Sequence, residues 1–213
     1  MSGTVESRVP HLSDNRGAQV LDNDLPEIDW DTMTFSYQKT DRMYIANCKQ
    51  GEEWQPGVMQ DFADISLSPA AGVLNYGQGL FEGMKAQRAA DGNIVLFRPE
   101  RNAMRMREGA ERLGIPPVPE AMFLDAVRQT VLENLRWVPP MGKGALYVRP
   151  LLMGSGAILG VAPAPSYRFL VYVSPVGPYF KGGMKPIALK ISDEFHRAAP
   201  GGSGGVKAIG NYA

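Results

Sequence analysis

The 213-residue sequence predicts an α+β fold in two unequal lobes. Three observations carry this reading. Strand-forming runs recur along the chain, two amphipathic helical stretches lie between them, and the Pro- and Gly-rich "SPVGPYFKGG" separates all of this from a new start at "PIALKIS". The expected units are a flexible arm over 1–30, a small α/β domain over 31–173, an inter-domain linker over 174–184 and the start of a second domain over 185–213.

Each element has a local reason. Residues 1–30 are polar and aperiodic. Strand content begins in "MTFSYQKTDRMYIANCKQG" and ends at Gly51. "MKAQRAADGNIVLFR" is a hairpin signal, two strand-like runs about Asp91-Gly92. In "PERNAMRMREGAERLGIPP", Pro99 suits a first helical turn, Gly114 suits the stop, and Pro116 and Pro117 bar continuation. In "PEAMFLDAVRQTVLENLRWVPP", Phe123, Val127, Val131 and Leu135 recur at steps of four and form one apolar stripe, which Pro139 and Pro140 end. Strands follow at "GALYVRPLLM" and "YRFLVYVSPV", and "PIALKIS" reads as another. The segment after the linker is too short to bury a core of its own.

Composition narrows the function. Lys+Arg and Asp+Glu are both 22, so no net field favours nucleic acid. The one cysteine, Cys48, rules out an internal disulfide and reads as a packed thiol in a strand. His11 and His196 stand far apart with no ligand pattern around them, so no metal is expected. The first residues hold no apolar run of the secretory type, and the longest apolar run, "FLVYV", is far too short to cross a bilayer. A soluble cytoplasmic protein without membrane partners is expected, an organelle being left open.

Four segments hold chemistry. In "GALYVRP", strand alternation sets Leu146 and Val148 on one face and Tyr147 and Arg149 on the other, either as solvated polar residues or as a polar cavity wall. Arg101, Arg105 and Arg112 share a helix face with Glu108 between them, either as a solvated ion-paired face or with one of them anchoring an anion such as phosphate. In "LNYGQGLFEGMKA", glycines alternate with Tyr76, Leu80 and Phe81, which fits a tight loop or a pocket lining. "GGSGGVKAIGNYA" lacks the spacing of a P-loop or of a dinucleotide fingerprint. Its Lys207, once desolvated or set beside a cation, has the amine for a Schiff base with an aldehyde cofactor. A nearby tyrosine hydroxyl such as that of Tyr212 can then bond the cofactor ring oxygen.

Together, "LNYGQGLFEGMKAQR", "LFRPERNAMRMREGAERL", "GALYVRPLLMGSGAILGV", "VSPVGPYF" and "GGVKAIGNYA" resemble, in order and spacing, the branched-chain amino-acid aminotransferases, above all the plant-type eukaryotic group. The resemblance implies a fold-type-IV enzyme using pyridoxal 5'-phosphate. It implies that Lys207 carries the cofactor and moves the substrate proton, that Tyr212 bonds the phenolic oxygen, and that Arg105 binds the phosphate. It implies substrate contacts from Phe81, Tyr147, Arg149 and Tyr179, and contacts from Tyr76 and Val161 that reach the pocket of a second subunit in a homodimer. The implied reaction passes the amino group of leucine, isoleucine or valine to 2-oxoglutarate.

The resemblance also implies a larger domain beyond Lys207, with an acid for the pyridine nitrogen and further phosphate and carboxylate donors. The 213 residues are expected to hold the small domain and only the start of that larger one. Lys207 is therefore expected to be loosely held and the chain inactive alone. The alternatives are a non-catalytic short form that pairs with a full-length subunit, and another enzyme of the same fold, a D-amino-acid aminotransferase or an aminodeoxychorismate lyase.

Overall fold

The computed structural model describes residues 11–12, 26–179 and 185–213. Its strands are β1 (His11–Leu12), β2 (Arg42–Lys49), β3 (Val58–Asp61), β4 (Gly79–Phe81), β5 (Met84–Arg88), β6 (Ile94–Leu96), β7 (Ala145–Gly154) and β8 (Ser166–Val176). Three α-helices join them: α1 (Gly72–Tyr76), α2 (Pro99–Arg112) and α3 (Glu120–Leu132). All strands lie in one antiparallel sheet in the order β1-β6-β5-β7-β8-β2-β3, with β4 also paired to β7.

β7 organises this sheet. One edge pairs with β8 along its whole length, from Ala145 opposite Val176 to Gly154 opposite Tyr167. The other edge is shared, with β5 opposite Leu146–Val148 and β4 opposite Leu151–Met153. Glu82 and Gly83 occupy the break between those two short strands, where the Glu82 N–H donates to the Pro150 carbonyl at 2.8 Å.

Helices α2 and α3 cover one face of the sheet. Phe123, Val127 and Val131 of α3 are fully buried, as the step-of-four stripe requires. Leu135 falls in a separate 3-10 turn, Leu135–Trp137, and is only partly buried. Opposite them, alternation on β8 sends Tyr167, Phe169, Val171 and Val173 into the core. The Phe123 ring stacks on Phe169 at 5.9 Å, and Tyr44 meets Phe169 edge-on at 6.2 Å. Gly114 takes a left-handed φ of 64° immediately beyond α2, a conformation in which a Cβ is strained. Cys48 is a buried thiol, and burial pushes its pKa up, the mark of a packed cysteine.

The structure departs from the sequence reading in several places. "PIALKIS" forms no strand; Ile187, Leu189 and Ile191 are 53%, 83% and 87% exposed. A strand needs a neighbour to complete its ladder, and among the described residues none lies alongside. Residues 33–41 are also irregular, so the strand expected in this segment begins only at Arg42. The arm expected over 1–30 falls largely outside the described residues, although His11–Leu12 pairs with Ile94 and Val95. Of the linker expected over 174–184, Ser174–Val176 are the end of β8 and 180–184 lie outside the described residues.

Asn134 ties α3 to the sheet. Its Oδ1 accepts from the Asp41 and Arg42 N–H groups at 3.1 Å each, and its Nδ2 donates to the Arg42 carbonyl at 3.0 Å and the Thr130 carbonyl at 2.7 Å. The residue is fully buried, so Asn134→Ala leaves several backbone groups without partners. Equilibrium urea unfolding of the variant should show a loss of about 1–3 kcal/mol. A loss below about 0.5 kcal/mol, the range of surface substitutions, would show that water replaces the amide.

Candidate active site

The glycine-rich segment that carries Lys207 is pinned rather than loose. Asn211, in the 3-10 turn Ile209–Tyr212, donates from Nδ2 to the Ser203 carbonyl at 2.8 Å and the Val206 carbonyl at 3.0 Å. The Phe81 N–H donates to the Lys207 carbonyl at 3.2 Å, and Ala208 bridges to Leu80. Arg112 of α2 reaches the Gly201 and Gly202 carbonyls. The expectation of a loosely held lysine is corrected here, because β4 and α2 supply the anchors.

Those anchors bring Lys207 into an aromatic cage. Its Nζ lies 4.4 Å from the centre of the Phe81 ring and 4.7 Å from that of Tyr212. Nζ also donates to the Tyr212 hydroxyl at 3.1 Å. The two rings meet edge-on at 4.8 Å. The hydrogen bond from Lys207 pulls the Tyr212 pKa below the ordinary phenol value, and the Arg197 guanidinium, 5.7 Å from the same ring, adds to this. Both cations act in the same direction, lowering the cost of ionising the phenol.

The next wall is on β7. Leu146 and Val148 are fully buried while Tyr147 and Arg149 are half-buried on the opposite face. Arg149 donates to the Tyr147 hydroxyl from Nε at 3.3 Å and Nη2 at 3.0 Å. Its guanidinium also stacks 4.5 Å from the Phe81 ring centre, so Phe81 contacts both the amine and this second cation. The Tyr147 ring approaches Gly83 so closely that a Cβ there would stand 2.2 Å from the hydroxyl. A side chain at position 83 would therefore require the Tyr147 ring to move.

Arg105 completes the basic side. The expected single arginine face does not hold: Arg112 goes to the glycine segment, Arg101 is exposed, and Arg105 forks onto Glu82. The fork closes at 2.6 Å from both Nε and Nη2, and it raises the arginine pKa, keeping the guanidinium ionised.

The remaining candidates lie further out. Tyr179 meets Phe35 edge-on at 5.1 Å, and Phe35 meets Tyr147 at 5.6 Å, so Tyr179 joins the site through Phe35. Tyr76 and Val161 are exposed and line a separate groove of about 460 Å³ with Gln78, Ser203 and Asn211. Nothing in the sequence singled out Glu82, Phe35 or Arg197. A lone acid in "LFEG" carries no pattern, and aromatic contacts across more than a hundred residues leave no local signal.

No protein-family model matches the chain. The chain is 63% identical over 190 residues to "Branched-chain amino acid aminotransferase 2, chloroplastic" of Humulus lupulus, a match that covers 89% of this chain and 47% of that protein. The chain belongs to the branched-chain amino-acid aminotransferase family. It spans about half the length of the curated relatives it matches. The crystal structure of Escherichia coli branched-chain amino acid aminotransferase superposes with a TM-score of 0.57 at 21% identity, over 82% of this chain and 53% of that one. A T.th. branched-chain amino acid aminotransferase, solved with pyridoxamine 5'-phosphate, gives 0.53 at 23% identity, over 67% and 42%. The aminotransferase fold of type IV, a mixed α+β structure on an antiparallel sheet, is therefore the fold of this chain.

The Lys207–Tyr212 hydrogen bond has a direct spectroscopic check. Tyrosinate absorbance followed through alkaline titration should show a phenol ionising ahead of the ordinary tyrosines. In Lys207→Met that phenol should titrate later, because the donor and its charge are gone. Superimposable curves for the two proteins would mean that the amine does not hold the hydroxyl.

Proposed function

We propose that the chain serves transamination of branched-chain L-amino acids with 2-oxoglutarate, using pyridoxal 5'-phosphate held on Lys207. The observation that carries this reading is one primary amine, bonded to a phenol at 3.1 Å and walled by two ring faces, in a site that gathers four cationic side chains. The donor set fits the cofactor. Lys207 offers the amine for its aldehyde, Tyr212 a donor for its ring oxygen, and Arg105 an exposed guanidinium edge for its phosphate. When bound, the cofactor supplies the electron sink for the carbanion at the substrate Cα.

The protein's own groups supply orientation and proton movement. Lys207 Nζ, once released from the aldehyde, is the base that takes the Cα proton and returns it. Tyr212, on its 3.1 Å bond, holds that amine between transfers. Phe81 and the Tyr147 ring make the apolar wall for a branched side chain, while Arg149 offers the charge that a glutamate side-chain carboxylate needs. Phe35 and Tyr179 form the outer rim beside Tyr147.

The domain division is proposed on the same grounds: a small domain over 31–173, and residues 185–213 as the first part of a larger cofactor-binding domain. The exposed row at Tyr76, Leu159 and Val161 supports a dimer in which these residues complete the partner's pocket. The chloroplastic name of the Humulus lupulus relative supports an organellar setting rather than the cytoplasm.

Borohydride reduction of the chain with pyridoxal phosphate, followed by peptide mass mapping, should fix the cofactor on Lys207. Lys207→Ala should abolish that label, and Lys207→Arg should abolish it too, since a guanidinium forms no such bond. Label retained at other lysines in either variant would remove Lys207 from the proposal.

Pyridoxal phosphate affinity separates the arginines. Arg105→Ala should weaken it roughly ten- to a hundredfold, the effect of losing about 1.5–3 kcal/mol of charge-assisted hydrogen bonding. Arg101→Ala should leave it unchanged. Equal losses at both positions would point to a diffuse basic face.

A further inference from the structure

We infer that Glu82 is the positioning residue for Arg105, a buried carboxylate that fixes the guanidinium to receive the cofactor phosphate. The inference rests on the reading of Arg105 as the phosphate anchor.

Glu82 has no solvent exposure, and a buried carboxylate is tolerated only when its oxygens are fully matched. Here they are. Oε1 accepts from Arg105 Nε at 2.6 Å; Oε2 accepts from Arg105 Nη2 at 2.6 Å, Asn102 Nδ2 at 2.8 Å and the Gly83 N–H at 3.3 Å. The carboxylate is thus held by three residues and does not move with its partner.

The partner is asymmetric. The Arg105 side chain is 52% exposed where that of Glu82 is 0% exposed. A pair made only for stability gains little from such an arrangement, and an apolar pair of similar volume does as well. A guanidinium has five N–H donors, and the fork uses two. Three remain, on Nη1 and Nη2, for a second anion. Freezing the long arginine side chain beforehand removes the ordering cost that a phosphate would otherwise meet on arrival.

The position of Glu82 in the chain strengthens this. Its N–H holds the Pro150 carbonyl beside Arg149, and the preceding N–H, of Phe81, holds the Lys207 carbonyl. The two residues therefore link the anion anchor to the amine and to the substrate-side arginine through adjacent peptide groups. The carboxylate itself bonds Arg105, Asn102 and Gly83, and of these only Arg105 presents a charge, so its effect on ligands passes through Arg105.

Calorimetric titration of the 213-residue chain with pyridoxal phosphate and with pyridoxal, which lacks the phosphate, tests the inference. The ratio of the two affinities reads the phosphate contact alone. The wild-type chain should prefer pyridoxal phosphate roughly ten- to a hundredfold, and Arg105→Ala should lose that preference. Glu82→Gln, which keeps the shape but meets the guanidinium with an amide, should lose about tenfold of the preference while binding pyridoxal as before. A merely structural Glu82 would lower both affinities together and leave the ratio unchanged. Arg101→Gln serves as the unaffected control.

If Glu82→Gln keeps the wild-type ratio while Arg105→Ala loses it, the inference is overturned and the anchor stands. If Arg105→Ala keeps the ratio, or the wild-type chain shows no preference, the anchor reading fails and takes the inference with it. Should near-ultraviolet circular dichroism show Glu82→Gln unfolded, Asn102→Ala decides. It removes one of the donors that hold the carboxylate, so a several-fold fall in the ratio supports the inference and an unchanged ratio overturns it.

Discussion

The site depends on two consecutive peptide N–H groups. At the break between β4 and β5, two consecutive N–H groups go to different partners: Phe81 to the Lys207 carbonyl and Glu82 to the Pro150 carbonyl. Because neighbouring side chains on an extended segment point to opposite faces, the Phe81 ring goes to the amine and the Glu82 carboxylate to helix α2. A glycine-rich segment from the end of the chain, the central strand and a helix are thus registered against one another by adjacent residues. A shift of one residue in this register would exchange ring and carboxylate and dismantle both sides at once.

Electrostatics follow from that register. Lys207, Arg149, Arg105 and Arg197 converge around Phe81 and Tyr212, and such a cluster of like charge is unfavourable without compensation. The aromatic rings spread part of the charge, and Glu82 neutralises Arg105 from the buried side. What is left is an excess of positive charge on the open side. A ligand carrying a phosphate and one or two carboxylates complements it. The same excess explains why the phenol most embedded in it, Tyr212, ionises early.

The elements set by local chemistry were legible in the sequence. Proline and glycine bracket α2, the step-of-four stripe marks α3, and Asp91-Gly92 marks the β5–β6 hairpin, because each signal lies within a few residues of its effect. Of the candidate site, the polar members were legible as two pairs, Lys207 with Tyr212 and Tyr147 with Arg149, and the structure joins the pairs through the Phe81 ring. "PIALKIS" misled because alternating apolar residues describe a strand that has a partner, and here none lies beside it among the described residues. Charge alone left Arg105 undistinguished from Arg101 and Arg112, and only the resemblance singled it out; Glu82 was missed, since a fork between positions 82 and 105 depends on how α2 packs against the break between β4 and β5. Phe35 was missed because its aromatic partners, Tyr147 and Tyr179, lie more than a hundred residues away in the chain.

The contact between Gly83 and Tyr147 constrains the history open to this scaffold. A methyl group at position 83 collides with the hydroxyl at 2.2 Å, and even without that oxygen the ring carbon behind it stands at 3.0 Å. A side chain at 83 therefore requires the Tyr147 ring to shift or lose its hydroxyl, whereas Gly83 does not bar a change at 147. Two positions far apart in the chain are therefore coupled in one direction, from 147 to 83. The rim at Phe35 and Tyr179 is exposed, and side chains there have room that this close-packed pair lacks.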